Sequence, residues 1–566
     1  MPRRSTRSSR PSAALAFALL AGALLAPASP AQADTPTGRL LVTLKPGSGT
    51  AEPVGRAAAG GLAVRAGGTL SGARVPALGL VTVRPEAGGA VGPLARALRA
   101  QPGVARVEPE YRATLRAVPD DPALVASEAA PGTPPGTPVQ WWALRQGLFA
   151  AWDVRQALDA TVAVIDTGVD GGHPELAGRI AGAVDNDTSD GRGPATVDEI
   201  GHGTHVASMA CAAADNGIGI AGSGYGCKLL VFKSDLSDSS VAASIVQATD
   251  RGADAINMSF GTDGTRPVPS VIRGAIRYAY ERDVILVSAA ADTPTEQQGY
   301  PSDVLQPTGS GGDIARGLGL SVTAANVADQ RATFAGFGSQ ITLAAYGAWN
   351  SGSGGPPGLL GAFPGRPTEL EKGSIGAPSA SGCNCRTTFA NDNRWAYVQG
   401  TSMASPIVAA TAAMVRRLNP DLSADEVIRL LKETARRPAG TRWEPNLGWG
   451  ILDAGSAVSA ARLIDRRAPA TRVRVSEPRS ALLTLRVSGA DRSPDGVRAS
   501  GIARIEVMRS IDGRKAQRVA RTARRTIRLK VRRGPRYAFW AVATDRAGNR
   551  EPAPVRPDAR IRLKAG

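Results

Sequence analysis

V-A-V-I-D-T-G-V-D, residues 162–170, is an apolar run that stops at a carboxylate and a glycine turn. Such a run, bounded by turn-forming residues, reads as a strand buried on both faces, as in a parallel sheet. Asp166 then falls at the strand's carboxyl end, where open α/β sheets place their sites. Two more segments follow in order, G-H-G-T-H at 201–205 and G-T-S-M-A-S-P at 400–406. Each opens a run of small, helix-tolerant residues, which predicts one helix starting near His202 and another near Ser402. Pro406 is expected early in the second helix, where its missing N–H costs little.

These segments supply a carboxylate, an imidazole and a hydroxyl. A serine hydroxyl is a poor nucleophile at neutral pH because its proton is held too tightly. It becomes effective when an imidazole takes that proton during attack and a carboxylate fixes the imidazole's tautomer and charge. The chain has three histidines, His173, His202 and His205, from which to draw the base.

The Asp, His, Ser order and the flanking residues resemble the subtilisin-like serine proteases. The resemblance continues through D-A-I-N-M-S-F-G at 254–261, G-Y-P-S at 299–302, S-V-T-A-A-N-V at 321–327 and L-G-W-G-I-L-D-A at 447–454. It covers roughly residues 138–465, interrupted by a Gly/Pro-rich stretch at 351–381 that reads as a surface insertion. It implies an α/β, three-layer fold with a mainly parallel sheet and a serine-type endopeptidase working through an acyl-enzyme on Ser402. Asp166 and His202 complete the implied catalytic set, with His205 a packed structural histidine and His173 part of a turn. Ser259, Phe260 and Gly261 are implied to pair with an extended substrate backbone, and Ser288, Ala289 and Ala290 to contact it as well.

One position departs from the family pattern. An Asn usually donates its amide to the oxyanion, and the aligned segment S-A-A-A-D ends instead in Asp292. A carboxylate donates only when protonated. The resemblance also implies a structural calcium ion, held by Glu175, the Asn216 side chain and the carbonyls of Ile218 and Ile220, an oxygen-only set suited to that metal.

The 566 residues are too many for one ordinary domain. Residues 1–33 read as an export signal: four early arginines, an apolar stretch at 13–26 and the small-residue site A-Q-A. That stretch is too short to span a bilayer, so no transmembrane segment is expected in the mature chain. Residues 34–117 show a strand–helix–strand pattern resembling the family's inhibitory propeptide, with an unrelated small α+β module as the other reading. Residues 118–137 are rich in Pro, Gly and Ala and read as a linker where maturation ends.

Residues 466–566 alternate apolar and charged residues with period two between turns, the pattern of an all-β sandwich, here resembling bacterial immunoglobulin-like modules. This stretch holds 27 basic against 8 acidic residues, while the rest of the chain holds 40 against 41. The net +18 therefore belongs to this module, and it suits an anionic cell-wall or surface polymer. Nucleic acid is disfavoured, because no recognition motif accompanies the charge. Four cysteines fit an oxidising, extracellular compartment. The spacing favours Cys211–Cys227 and leaves Cys383 and Cys385 open. A second reading is a secreted binding protein with an impaired protease-shaped domain, acting through the basic module and suggested by Asp292.

Overall fold

The computed structural model describes residues 35–45, 56–75, 78–87, 89–112, 118–156, 159–187, 192–349, 354–373, 382–476, 481–522 and 525–564. The expected export signal lies outside these residues. Contacts divide the chain into two compact units that meet in sequence at residues 115 and 116.

The first unit is a four-stranded antiparallel sheet in the order β2-β3-β1-β4, from β1 (Thr35–Leu44), β2 (Gly68–Val75), β3 (Leu80–Pro85) and β4 (Val104–Arg112). Helices Arg56–Arg65 and Val91–Arg99 accompany it. Its core gathers Leu40, Val42, Val81, Val83, Leu94 and Leu98, the apolar positions of alternating strands and one amphipathic helix.

The second unit is built on a seven-stranded parallel sheet. Its strands are β5 (Thr161–Asp166), β6 (Ile180–Asp185), β7 (Lys228–Lys233), β8 (Ala255–Met258), β9 (Ile285–Ala289), β10 (Leu320–Ala325) and β11 (Leu343–Tyr346), in the order β11-β10-β9-β8-β5-β7-β6. Central β5 pairs with β7 on one side and β8 on the other, which is why residues 162–166 are all apolar or buried. Helix Thr401–Leu418 crosses one face, with sixteen of its residues buried, so its side chains are small. Helices Asp238–Asp250 and Ser270–Tyr280 pack on a second core cluster with Ile256, Met258, Ile272 and Ile276.

Two segments pack more tightly than composition suggests. At 118–137 Asp121 and Ala123 are fully buried, the Ala123 N–H donates to the Gly219 carbonyl, and Gln140 N–H donates to Ala123. The stretch expected as a linker is thus an integral edge of the α/β unit. Within 351–381, the described part contains β12 (Leu359–Ala362), which pairs with β14 (Asp392–Val398), itself paired with β13 (Arg386–Phe389). Leu359, Leu360, Ala362 and Phe363 are fully buried, so this part is core and not a surface insertion.

Both Cys211–Cys227 and Cys383–Cys385 are disulfide-bonded. The C-terminal residues form two facing antiparallel sheets. One is β15 (Ala470–Val475), β16 (Leu482–Ala490) and β19 (Thr526–Lys530), in the order β15-β16-β19. The other is β17 (Ile502–Ile511), β18 (Gln517–Thr522), β20 (Arg536–Asp545) and β21 (Ala559–Arg562), in the order β18-β17-β20-β21. Val473, Leu485, Val487, Val507 and Phe539 fill the space between them. The sandwich is docked on the α/β unit: Arg467 pairs with Asp421 at 2.7 Å, and the Asn549 amide donates to the Asp465 carbonyl at 3.0 Å. Among the described residues no helix is long and apolar enough to cross a membrane.

Candidate active site

Asp166 ends β5 with its side chain only 3% exposed, and its Oδ1 lies 2.7 Å from Nδ1 of His202. His202 is the first residue of helix His202–Cys211, as the small-residue run predicted. Gly203 makes this approach feasible. A Cβ there would lie 2.1 Å from the Gly168 carbonyl, so any larger residue would push the helix away from β5. Burial lowers the proton affinity of His202, but the Asp166 charge and hydrogen bond outweigh it, and its pKa lies above the ordinary imidazole value.

Asp198, not signalled by any of the three motifs, ties these pieces together. It is fully buried and accepts from Thr167 Oγ1, the Gly201 N–H, the Thr204 N–H and Thr204 Oγ1 at 2.6 to 2.9 Å. Its one carboxylate therefore anchors the turn after β5 and the first turn of the histidine helix. Its only sequence signal is an Asp three residues before the G-H-G-T-H segment.

Ser402 is the second residue of helix Thr401–Leu418 and 9% exposed. Its hydroxyl donates to the Ser259 carbonyl at 3.0 Å. A proton handed to His202 thus requires that hydroxyl to leave the Ser259 carbonyl, in keeping with catalytic hydrogen bonds that tighten only around substrate. Pro406 sits at the sixth helical position, not in the first turn, so its missing N–H removes the donor that Ser402's carbonyl would have used. Ser259 Oγ donates to that carbonyl instead, at 2.8 Å, and is itself held by Asn257 Nδ2 at 2.9 Å. The Ser259 side chain therefore supports the turn that carries Ser402.

Phe260 and Gly261 remain accessible beyond the end of β8, and a small recess beside them is lined by Leu236, Val241, Ile272 and Tyr300. Ser288 is a correction: it is fully buried within the sheet, opposite Met258 and Ser321, and presents no surface to a substrate. Ala289 and Ala290 are nearly as enclosed.

Asp292 is solvent-exposed. Its Oδ1 accepts from the Thr401 N–H at 2.8 Å and lies 2.9 Å from Thr401 Oγ1. The protein atoms crowded around it raise its pKa, against the Thr401 hydrogen bonds and the nearby His202 charge. The position adjoins Ser402 directly, one residue along the chain from the group it holds.

The other two histidines are packed in the interior. His205 is fully buried, its Nε2 is 3.0 Å from the Leu359 carbonyl, and burial pushes its pKa down to about 4. His173 Nε2 lies 2.9 Å from the Arg394 carbonyl, and its Nδ1 accepts from the Glu175 N–H.

Glu175, Asn216 and Ile220 do meet. Glu175 is fully buried, accepts from the Ile220 N–H at 2.9 Å and is 3.3 Å from Asn216 Nδ2. Burial, with the Asp121 charge adding to it, pushes its carboxyl up to about 9. Asp121 is the partner hidden in the segment expected as a linker. It too is fully buried, pushed up to about 6 mainly by burial, and its Oδ1 has no hydrogen-bond partner. Among the described residues neither carboxylate has a lysine or arginine partner. Two buried carboxylates with no basic partner fit a hard divalent cation better than they fit an empty core, and the Asn216 oxygen, which accepts from the Ile218 N–H, would have to turn to join them.

An imidazole oriented by a buried carboxylate, on a helix facing a serine at another helix N-terminus, defines a serine-hydrolase type of site on a parallel α/β sheet. The subtilase family model matches residues 158–450, just over half of the chain. Thermitase of Thermoactinomyces vulgaris is 28% identical over 300 residues, covering 51% of this chain and 86% of thermitase. Fervidolysin of Fervidobacterium pennivorans is 30% identical over 325 residues, covering 54% of this chain and 42% of that protein. The thermostable alkaline protease of Halalkalibacterium halodurans is 31% identical over 306 residues, covering 53% and 67% respectively. The chain belongs to the subtilase family and so to the serine-type peptidases.

Proposed function

We propose that this chain is a secreted serine endopeptidase, made as a precursor that cuts itself. The observation that carries the reading is the 2.7 Å contact between Asp166 and His202, which opens a helix packed against the one that begins with Thr401 and Ser402. Ser402 attacks the scissile carbonyl while His202 takes its proton, and Asp166 holds the imidazole with Nδ1–H toward itself so that Nε2 is the base. His202 gives the Ser402 proton to the leaving amine as the peptide C–N bond breaks; water then attacks the acyl-enzyme with His202 as base, and the proton returns to the Ser402 oxygen as the acid leaves. Backbone N–H groups at the start of the Ser402 helix stabilise the oxyanion. The substrate backbone lies along residues 259–261, which suits recognition by main-chain hydrogen bonds more than by sequence.

Residues 34–117 act as an intramolecular inhibitor, supported by the α+β architecture of that unit and its place before the peptidase. Calcium would be held by Asp121, Glu175, Asn216 and the carbonyls of Ile218 and Ile220; it would neutralise the two buried carboxylates and leave the chemistry to the protein's own residues. Digestion of a denatured proteome with the matured protein tests the activity. Mass spectrometry should find new internal cleavage sites with extended preferences on the acyl side. Trimming confined to chain ends would refute an endopeptidase.

Asp292 has a consequence for pH. As a carboxylate it repels the oxyanion, and only its protonated form donates. An Asn at this position can keep the Thr401 N–H on its oxygen and turn an amide toward the cleft. Asp292→Asn should therefore fold normally and raise kcat more above neutral pH than below it. One oxyanion donor is worth about 3 kcal/mol, so at alkaline pH an effect of about tenfold or more is expected. A pH–rate profile that overlays the parent's would mean that another group completes the hole.

A further inference from the structure

We propose that the outer face of the three-stranded sheet β15-β16-β19 is a binding surface for a flexible, linear phosphodiester polymer with a polyol backbone. Five of the basic residues of 466–566 share this face. Arg472 and Arg474 on β15, Arg486 on β16, and Arg528 and Lys530 on β19 all point away from the core and are exposed. The other outward positions are Ala470, Leu482, Thr484, Ser488, Ala490 and Thr526, so the face carries no carboxylate and no aromatic ring.

The register places these cations on a regular grid. Arg474 stands directly opposite Arg486, Thr484 opposite Arg528, and Leu482 opposite Lys530. Rows across the strands are about 4.8 Å apart, and successive outward positions along a strand are about 6.8 Å apart. Like charges directly opposite one another destabilise a sheet, so nothing in the fold itself calls for this arrangement. Among the described residues none of the five makes an ion pair. The second sheet behaves differently: Glu506 lies between Arg518 and Arg550 at 2.8 and 2.7 Å and compensates them. Among the described residues unpaired cations stand on the second sheet too, Arg521, Arg560 and Arg562 among them, but only the first sheet sets its cations on an outer face without a carboxylate.

The chemistry of that face selects the partner. Four of the five cations are arginines, whose planar fork grips two oxygens of a phosphate or carboxylate. Single-stranded nucleic acid is disfavoured, because its binding surfaces stack bases on aromatic side chains and this face has none. A lipid bilayer is disfavoured, because Leu482 is the only large apolar side chain available to insert. Stiff pyranose chains of uronic acids separate successive carboxylates by a whole ring. A short polyol phosphate repeat bends freely enough to set its anions on the grid. The surface is independent of hydrolysis and would hold the peptidase near such a polymer.

The test uses the full-length chain carrying Ser402→Ala, so that it cannot digest itself, with delipidated poly(glycerol phosphate) as probe. Oligo-dT, polygalacturonate and phosphatidylglycerol vesicles serve as competing probes. If all five cations engage, each contact releases about 0.7 counterion, and affinity should fall about a hundredfold between 50 and 200 mM salt. Arg472→Gln, Arg474→Gln, Arg486→Gln, Arg528→Gln and Lys530→Gln together should weaken binding at least thirtyfold and flatten that salt dependence. Arg474→Gln with Arg486→Gln should act in the same direction without loss of thermal stability, since a repulsion is removed. A control with equal charge loss on other exposed positions, Arg514→Gln, Lys515→Gln, Arg521→Gln, Arg556→Gln and Arg560→Gln, should stay within threefold of the parent. Equal losses in face and control variants would reduce the effect to net charge and overturn the proposal. So would tighter binding to any competing probe than to poly(glycerol phosphate).

Discussion

Ser402→Ala should abolish peptide hydrolysis, by about a millionfold in kcat, and leave the precursor uncut at the junction after residues 34–117. That size is what a related subtilisin loses with its serine, because the triad acts as a unit. His202→Ala should be equally damaging to both processing and hydrolysis, since Asp166 then orients nothing. His205→Ala should instead lower stability by roughly 1–3 kcal/mol, through the lost bond to Leu359 and the space left in a packed interior. Steady-state rates and thermal midpoints on the three variants separate these cases. Equal catalytic loss at His202 and His205, with both variants folded, would show that the base is wrongly assigned.

Calcium removal carries the largest expected effect on stability, and its sign depends on pH. Glu175 and Asp121 hold their protons more tightly in the folded chain than unfolded, up to about 9 and about 6 against ordinary values of 4.5 and 3.8. Each raised group contributes stability that is complete below its unfolded pKa and is lost as pH rises through its folded pKa. In chelator, stability should therefore fall from pH 4 to pH 9, by on the order of 4 kcal/mol at pH 8 from Glu175. Calcium binds the ionised forms, so the increase in Tm on adding it should grow with pH, reaching roughly 10 °C at pH 8. Glu175→Gln should flatten the pH dependence and abolish most of the calcium effect. A calcium shift that is the same at pH 5 and pH 8, or unchanged by Glu175→Gln, would place the ion elsewhere.

Where the sequence carries a period or an exceptional residue, it is legible. The buried strand ending at Asp166, the two helices starting at His202 and Ser402, and the alternating strands after residue 466 all follow from local patterns. The Cys211–Cys227 bridge follows from spacing in the same way. What stays hidden is contact between segments distant in sequence. Asp121 looks like one acid in a Pro/Gly/Ala stretch, and only folding places it beside Glu175. Ser259 looks like a substrate-strand residue, yet its hydroxyl replaces the helix donor that Pro406 removed from the Ser402 carbonyl. The Gly/Pro-rich composition at 351–381 points to a loop, and composition cannot reveal that residues 359–363 are buried beneath it. The resemblance sets Ser288 against the substrate, but a strand in a sheet covered on both faces buries every one of its residues.

Labelling of the matured chain with a fluorophosphonate probe tests the central claim most directly, because the probe phosphonylates only a serine activated by a neighbouring base. The expected result is a single modification on Ser402, lost in His202→Ala and retained in His205→Ala. A folded, processed chain whose Ser402 stays unmodified would contradict the assignment of a working serine nucleophile and favour a secreted protein that acts by binding alone.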